Sequence, residues 1–582
     1  MKLRKNVIVA IALLVLSCIA SPAMALTIDR QFEGQWFEFD LDARRGWNLQ
    51  YIELGPENGL LFIVGFVYDS EGNPFWVNGA KGVTPGQFSV SVPLELVEGG
   101  SFGPDEGDPM TTDPAWGTMD ITFHDCNNAE FSWTSPNVTD GSNEYQPILA
   151  LIKGSTTDRC VYQEPFTACP AFSTPAALDR TCILSGTYTQ DITLTNNTTW
   201  VLSGGVFIGN KDATDNSNTI TIEAGTRIVG SGGVDLLVIS RGARIIAEGQ
   251  PYAPIVMTGP KTVPEGASSG DWGGLVLNGF APINTCDVQP CTAVGEGNSG
   301  TYGGDNPYDN SGVLRYVRVQ FAGIKFTDED ELNGIAFQGV GNGTVVDYVQ
   351  VHRNADDGVE FFGGTVNAKH VIITHAEDDS IDWTQGWTGG LQYGIVQQVD
   401  DQTIDTDRGI EADNLEQDND ATPRSQPRLA NVTLIGRAGE LGMNPRRGTG
   451  GNFTNMIVTN FQTCIDIDSS ATFAAAGTPP NNLTGVLTME NSLVNCDVNF
   501  TEDDEGGADP WSTQTWFDSQ PGNAEQNPML TGVIPPAGAN YLSGFDIDPM
   551  VFGEFFEKVD WIGAVKSRDS AWYYNWSIFV ED

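Results

Sequence analysis

Two short runs of this chain carry carboxylates at matching positions. Asp356-Asp357-Gly358-Val359-Glu360 and Asp378-Asp379-Ser380-Ile381-Asp382 coincide when one is laid over the other, Asp357 on Asp379 and Glu360 on Asp382, and Asp401 follows Asp379 at the same interval. Gathered carboxylates can do three things. They can ligate a hard divalent cation, and a set of roughly six to eight oxygens from side chains and turn carbonyls suits Ca2+. In pairs about 5 to 9.5 Å apart they can hydrolyse a glycosidic bond, one protonating the leaving oxygen while the other attacks or activates water. Alternatively they bond the backbone of turns and face solvent. The candidate metal ligands are Asp356, Asp357, Glu360, Asp378, Asp379 and Asp382. The candidate catalytic residues are Asp357, Glu360, Asp379 and Asp382, with His375 as a possible acid–base partner.

These residues act together only if the fold brings equivalent positions of the two runs side by side. Tyr316-Val317-Arg318-Val319, Tyr348-Val349-Gln350-Val351, His370-Val371-Ile372-Ile373 and Tyr393-Gly394-Ile395-Val396 begin at intervals of 32, 22 and 23 along the numbering. The two shorter intervals match one coil of a parallel β-helix, and the longest fits a coil plus an insertion at Thr327-Asp328-Glu329-Asp330-Glu331. Coils stack at about 4.8 Å, so equivalent side chains form columns. From Cys182 onward, short β-branched runs such as Thr219-Ile220-Thr221-Ile222 and Leu236-Leu237-Val238-Ile239 alternate with Gly, Asn and Asp, and helical periodicity is lacking. That excludes a βαβ design and leaves sandwich, propeller or solenoid. Propeller blades need about 40 residues or more, so the spacing favours the solenoid. If Val359 and Ile381 point inward, strand alternation turns Glu360 and Asp382 outward, and one face carries a patch of at least five acids.

Further motifs carry a resemblance. Ile222-Glu223-Ala224-Gly225-Thr226, Gly270-Asp271-Trp272-Gly273-Gly274-Leu275, Asp309-Asn310-Ser311-Gly312-Val313-Leu314, Asp356 to Gly364 and Trp561-Ile562-Gly563-Ala564 look like a family of secreted right-handed parallel β-helix proteins of Gram-negative bacteria, over about 190–580. The resemblance implies fold and export; the family supplies no activity. Acids on consecutive coils are also somewhat similar to polygalacturonases, but the Asn-Thr-Asp and His-Gly signatures of those enzymes and their Arg-x-Lys are missing. Elimination of the pectate-lyase kind would need an arginine base near calcium, for which Arg353 and Arg408 are available.

The rest of the chain divides as follows. Residues 1–25, with Lys2, Arg4 and Lys5 before an apolar run and Ala23-Met24-Ala25 at its end, read as a secretory signal peptide. Cys18 after Val15-Leu16-Ser17 gives a competing lipoprotein reading, which Leu16 fits poorly. Residues 26–155 read as a small antiparallel β barrel or sandwich, with a hairpin from Leu60–Tyr68 to Phe75-Trp76-Val77. It resembles a domain of secreted proteobacterial proteins through Gln35-Trp36-Phe37, Gly46-Trp47-Asn48-Leu49 and Phe131-Ser132-Trp133. A linker spans 156–180, the β-helix 181–500, and an aromatic-rich cap 501–582, the cap reading being weighed against an aromatic surface for sugar stacking.

Removing the signal takes the formal charge from −47 to −50. Such a surface repels nucleic acid and anionic lipid and attracts divalent cations or basic partners, or simply keeps the protein soluble. No later segment is long and apolar enough to span a membrane. Eight cysteines remain (Cys126, Cys160, Cys169, Cys182, Cys286, Cys291, Cys464 and Cys496), an even count that fits disulfides in an exported protein; pairing sequence neighbours closes only modest loops. Cys-x-x-Cys pairs are missing, which weakens a metal reading of the cysteines. His352 and His375 flank acids and could hold a transition metal, although exposed solenoid histidines are the plainer reading. Gly339-Val340-Gly341-Asn342-Gly343 reads as turn residues, and Arg446-Arg447 as salt-bridge partners. Together these features describe an exported protein, extracellular, at the outer cell surface or periplasmic. Its acidic, cation-binding surface would take glycans or another cell-surface component. The alternative is a polysaccharide hydrolase or lyase using the stacked carboxylates. The sequence holds no signal of oligomeric state.

Overall fold

A computed structural model shows an all-β chain. It describes most of residues 25–580; outside the described residues lie 1–24, 99–110, 148–161, 399–406 and 503–509, together with a number of shorter loop stretches. Residues 1–24 of the signal segment and Asp401 fall outside them. Among the described residues, no helix is long and apolar enough to cross a membrane.

The N-terminal domain is an antiparallel sheet of eight strands, from Gly34–Glu38 to Gly141–Pro147, curled until its first and last strands pair. Of the two sequence-based alternatives, barrel and sandwich, the barrel is present. Alternation builds its core: Leu61 and Ile63 of Asn58–Tyr68 turn inward to meet Trp36, Trp47, Phe123 and Phe131. Gly65 sits opposite Trp47, and a methyl group there would come within 2.5 Å of the indole, so glycine makes room for the ring.

The second part is one continuous sheet of 27 strands wound from Thr174–Pro175 to Ala524–Glu525, parallel from coil to coil. In the central coils a long strand and a short one alternate: Val345–His352 with Val359–Phe362, Asn367–Thr374 with Ile381–Thr384, Gly390–Gln397 with Arg408–Ala412. Val349 pairs with Val371 and Val371 with Gly394, as the two shorter sequence intervals require. The insertion expected near Thr327 is a hairpin, Ile324–Thr327 with Asp330–Leu332. Inside, Val359, Ile381, Ile410 and Met443 stack in a dry column. Each such burial stabilises by roughly 1.5–3 kcal/mol. Three of the neighbouring cysteine pairs are disulfides, Cys169–Cys182, Cys286–Cys291 and Cys464–Cys496; Cys126 and Cys160 lie outside the described residues.

Each long strand bends at one left-handed residue, Tyr316, Tyr348, His370 and Tyr393, with φ from 50° to 64°. Their rings stack along the axis with centroids 4.4, 4.1 and 4.9 Å apart, which helps offset a backbone cost of about 1–2 kcal/mol per residue. On later coils Asn431, Asn455 and Asn491 take the left-handed position, where asparagine is tolerated. The aromatic C-terminal stretch divides its work. Trp516 and Phe517 enter the interior core beside the last coils. Residues beyond 527 run back along the flank, where the Gly563 N–H donates to Asn455 O, Gln392 Nε2 to Glu557 O and Gln350 Nε2 to Ile578 O. Trp572 and Trp576 there cover the tyrosine stack edge-on.

Candidate metal centre

The two acidic runs occupy one turn and the short strand after it, on neighbouring coils. The Gly358 N–H donates to Asp379 O, the Gly334 N–H to Asp357 O and the Ser380 N–H to Arg408 O, so Asn333, Asp357, Asp379 and Arg408 form one column. In the short strands, Glu360 pairs with Asp382 and Asp382 with Glu411. Val359 and Phe361 fill the interior, so Glu360 turns outward as alternation demands.

Outward is not exposed. Glu360 is only 7% exposed, and Asp356, Asp357 and Asp379 are also buried. The expected acidic surface is therefore a covered recess. The reason lies in insertions that alternation cannot reveal: the Ile324–Leu332 hairpin brings Glu331 to Asp356, and the loop carrying Glu296 comes over Asn333. The Asn333 amide donates to Glu360 Oε2 at 2.7 Å and to Glu296 Oε2 at 3.3 Å.

Three overlapping triads bring ligand oxygens within 4.8 Å of one another: Glu331, Asp356 and Asp378; Asp357, Glu360 and Asp382; Asp357, Asp378 and Asp379. Two like charges at that distance repel by about 3 kcal/mol at an effective dielectric near 20. Burial and the neighbouring acids accordingly push the carboxyls up. Asp356 rises to about 9 through burial and its contact with Glu331. Asp357, Glu360 and Asp382 lie well above the carboxylate range through burial and mutual repulsion. Asp378 is raised through burial and the Asp407 charge. Asp379 reaches only about 7, since burial is opposed by Arg408.

Arginines neutralise one side of the group. Arg408 Nη1 lies 3.4 Å from Asp379, 2.7 Å from Asp407 and 2.6 Å from Glu411. Burial works against charge on Arg408, yet the charges of Asp379, Asp407, Asp378 and Asp382 outweigh it and raise its pKa. Arg446 pairs with Glu411 and, at 3.0 Å, with Asp413; Arg447 pairs with Asp413 at 2.7 Å. The salt-bridge reading of Arg446-Arg447 agrees with this. On the other side, no basic side chain among the described residues pairs with Asp356, Asp357, Glu360 or Asp382. Among the described residues, no hydrogen-bond donor reaches buried Asp379 Oδ1 or Asp382 Oδ1.

His375 is brought to His352, ring centroids 5.3 Å apart, and both are buried, unlike the exposed histidines expected. Burial holds His352 well below the usual imidazole value. Of the residues the sequence did not single out as acids of the site, Glu296 and Glu331 sit on insertions and carry no positional signal. Glu411 does carry one. Gly358-Val359-Glu360, Ser380-Ile381-Asp382 and Gly409-Ile410-Glu411 repeat a small–aliphatic–acid pattern, which a fixed interval passes over because the third coil is longer than the second.

A family model described as a pectate-lyase-like β-helix domain matches residues 186–527. No curated protein matches the chain. Among solved structures it is similar to the catalytic unit of a thermostable GH87 α-1,3-glucanase from Streptomyces thermodiastaticus strain HF3-3, at 10% identity and a TM-score of 0.28 over 87% of this chain and 97% of that one, a likeness too remote to transfer function.

Proposed function

Because the chain belongs to the pectate-lyase-like β-helix domain family, we propose that it is an exported polysaccharide-binding protein whose carboxylate recess holds a divalent cation. One observation carries the cation: Asp356, Asp357, Glu360 and Asp382 are gathered on two adjacent coils without a basic partner among the described residues. An all-oxygen donor set of this kind suits calcium. The cation would tie the covering hairpin, through Glu331, to the coils beneath. Disulfides accord with an oxidising compartment outside the cytoplasm. The test is the metal content of purified protein together with its melting temperature in calcium and in EGTA. Bound calcium and a rise that Asp357→Asn abolishes support the reading; metal-free protein that ignores calcium overturns it.

A second reading, hydrolysis of a polysaccharide, is favoured by the spread of carboxyl pKa values. Asp356 near 9 would stay protonated at neutral pH while Asp379 near 7 titrates, and such a pair can divide acid and base roles. Elimination with Arg408 as base is disfavoured, because three carboxylates hold that guanidinium charged. A polysaccharide panel that yields reducing ends with the parent and none with Asp379→Asn would establish the enzyme.

A further inference from the structure

A second recess lies on the same turn, one coil beyond the acids. The His375 N–H donates to Gln397 O, the Gln398 N–H to Ile435 O, and the Gly436 N–H to Thr459 O, so His375, Gln398, Gly436 and Asn460 occupy one column. His375 opens the turn that carries Asp378 and Asp379. From Gln398 onward the column borders a cavity of about 790 Å³, walled on one side by Gln397, Gln398, Thr459 and Asn460 and on the other by the C-terminal stretch with Asn527 and Met529.

The chemistry of this cavity differs from that of the acidic recess. Among the described residues, none that lines it is charged, in a chain of net charge −47. Gln398 is 5% exposed, yet among the described residues neither its Nε2 nor its Oε1 has a hydrogen-bond partner. A buried amide left so is costly, and a ligand that both donates and accepts relieves it. Asn460 accepts from the Thr459 hydroxyl at 3.3 Å and Asn527 from the Met529 N–H at 2.7 Å, which engages one lone pair of each carbonyl oxygen and fixes the two amides at the cavity wall. Hydroxyl groups, each a donor and an acceptor, match such a lining. Met529, 70% exposed, offers an apolar edge for the carbon face of a ring.

We propose that this cavity is a binding subsite for uncharged sugar units of a polysaccharide. The inference deepens the polysaccharide reading and rests on it, but it does not need the cation. Coils repeat at about 4.8 Å, close to the length of one sugar unit along a chain, so amides on successive coils can meet successive residues of a glycan.

The experiment titrates the secreted full-length chain with uncharged hexasaccharides, separately maltohexaose, cellohexaose, laminarihexaose and xylohexaose, by calorimetry in calcium and in EGTA. At least one should bind. Gln398→Ala should weaken it about tenfold or more, and Asn460→Ala should weaken it too, while both variants keep the calcium response of the melting temperature. No binding by any of the four, parent-like affinity in both variants, or equal binding of a neutral Gly/Ser hexapeptide overturns the proposal. Should Gln398→Ala fail to fold, the exposed Asn460 decides alone. Sugar binding without any calcium response sinks the cation reading and leaves the subsite standing.

Discussion

The carboxylate of Asp357 accepts a hydrogen bond from the backbone N–H of Asp379, its counterpart one coil further on, at 3.0 Å. The bond is set by coil stacking rather than by a ligand, so the acids are held together whether or not an ion is present. Preorganisation of this kind strengthens cation binding and makes the metal-free protein carry the repulsion.

Neutralising one of these acids should therefore have opposite effects in the two states. In EGTA, Asp382→Asn removes a buried carboxyl that must either bear the repulsion of its neighbours or take up a proton on folding, and should raise stability by on the order of 1–3 kcal/mol. In calcium the same variant should melt below the parent. Calorimetry in both buffers checks the crossing of the two curves.

The pH dependence of the metal-free protein follows from the raised carboxyls. In the unfolded chain these groups lose their protons near pH 4, whereas in the folded one Asp379 retains its proton to about 7 and Asp356 to about 9. The folded state then binds more protons, and stability falls as pH rises. In EGTA, the melting temperature should decline from pH 5 to pH 9. Calcium competes with these protons, so its stabilising effect should grow over the same range. Thermal melts at several pH values, with and without calcium, test both slopes.

Arg408 is predicted to matter more than any surface cation. Arg408→Met leaves buried Asp379 without its charge partner and Glu411 with Arg446 alone, and should cost about 3–5 kcal/mol, read by urea denaturation. Arg424→Met, which removes a pair with the exposed Asp420, should cost under about 1 kcal/mol through its ion pair.

The returning C-terminal stretch supplies the last prediction. Trp576→Ala uncovers the Tyr316 and Tyr348 rings and empties a fully buried site, for a loss of about 3–5 kcal/mol and faster proteolysis beyond residue 527. Parent-like melting and protease resistance would show that the stretch is not integral to the fold.

The solenoid was legible because its strands repeat at a nearly constant interval wherever turns are short, as from Val349 to Val371. Inward and outward faces followed from alternation at Val359, Glu360 and Phe361. Burial of the acids was not legible, since it depends on Glu296 and Glu331, which reach the site through insertions of irregular length. Nor was the place of Arg408, which stacks on Asp379 although the coil between them is longer than the one from Asp357 to Asp379. The path of the C-terminal stretch was also hidden: aromatic composition is the same whether Trp572 and Trp576 plug an end or lie along a side.

The longer coil before Arg408 has a wider meaning. In a stacked architecture, which residues become neighbours is decided by the length of each revolution, so lengthening a single loop re-sorts every partner downstream without any substitution. Here a few extra positions exchange an acid for a guanidinium and so bring a file of like charges to a halt. Insertions and deletions in loops, ordinarily the most tolerated of changes, are thus a means by which such proteins can redraw an ion site, and shortening this loop is a direct way to ask how far the file can be extended.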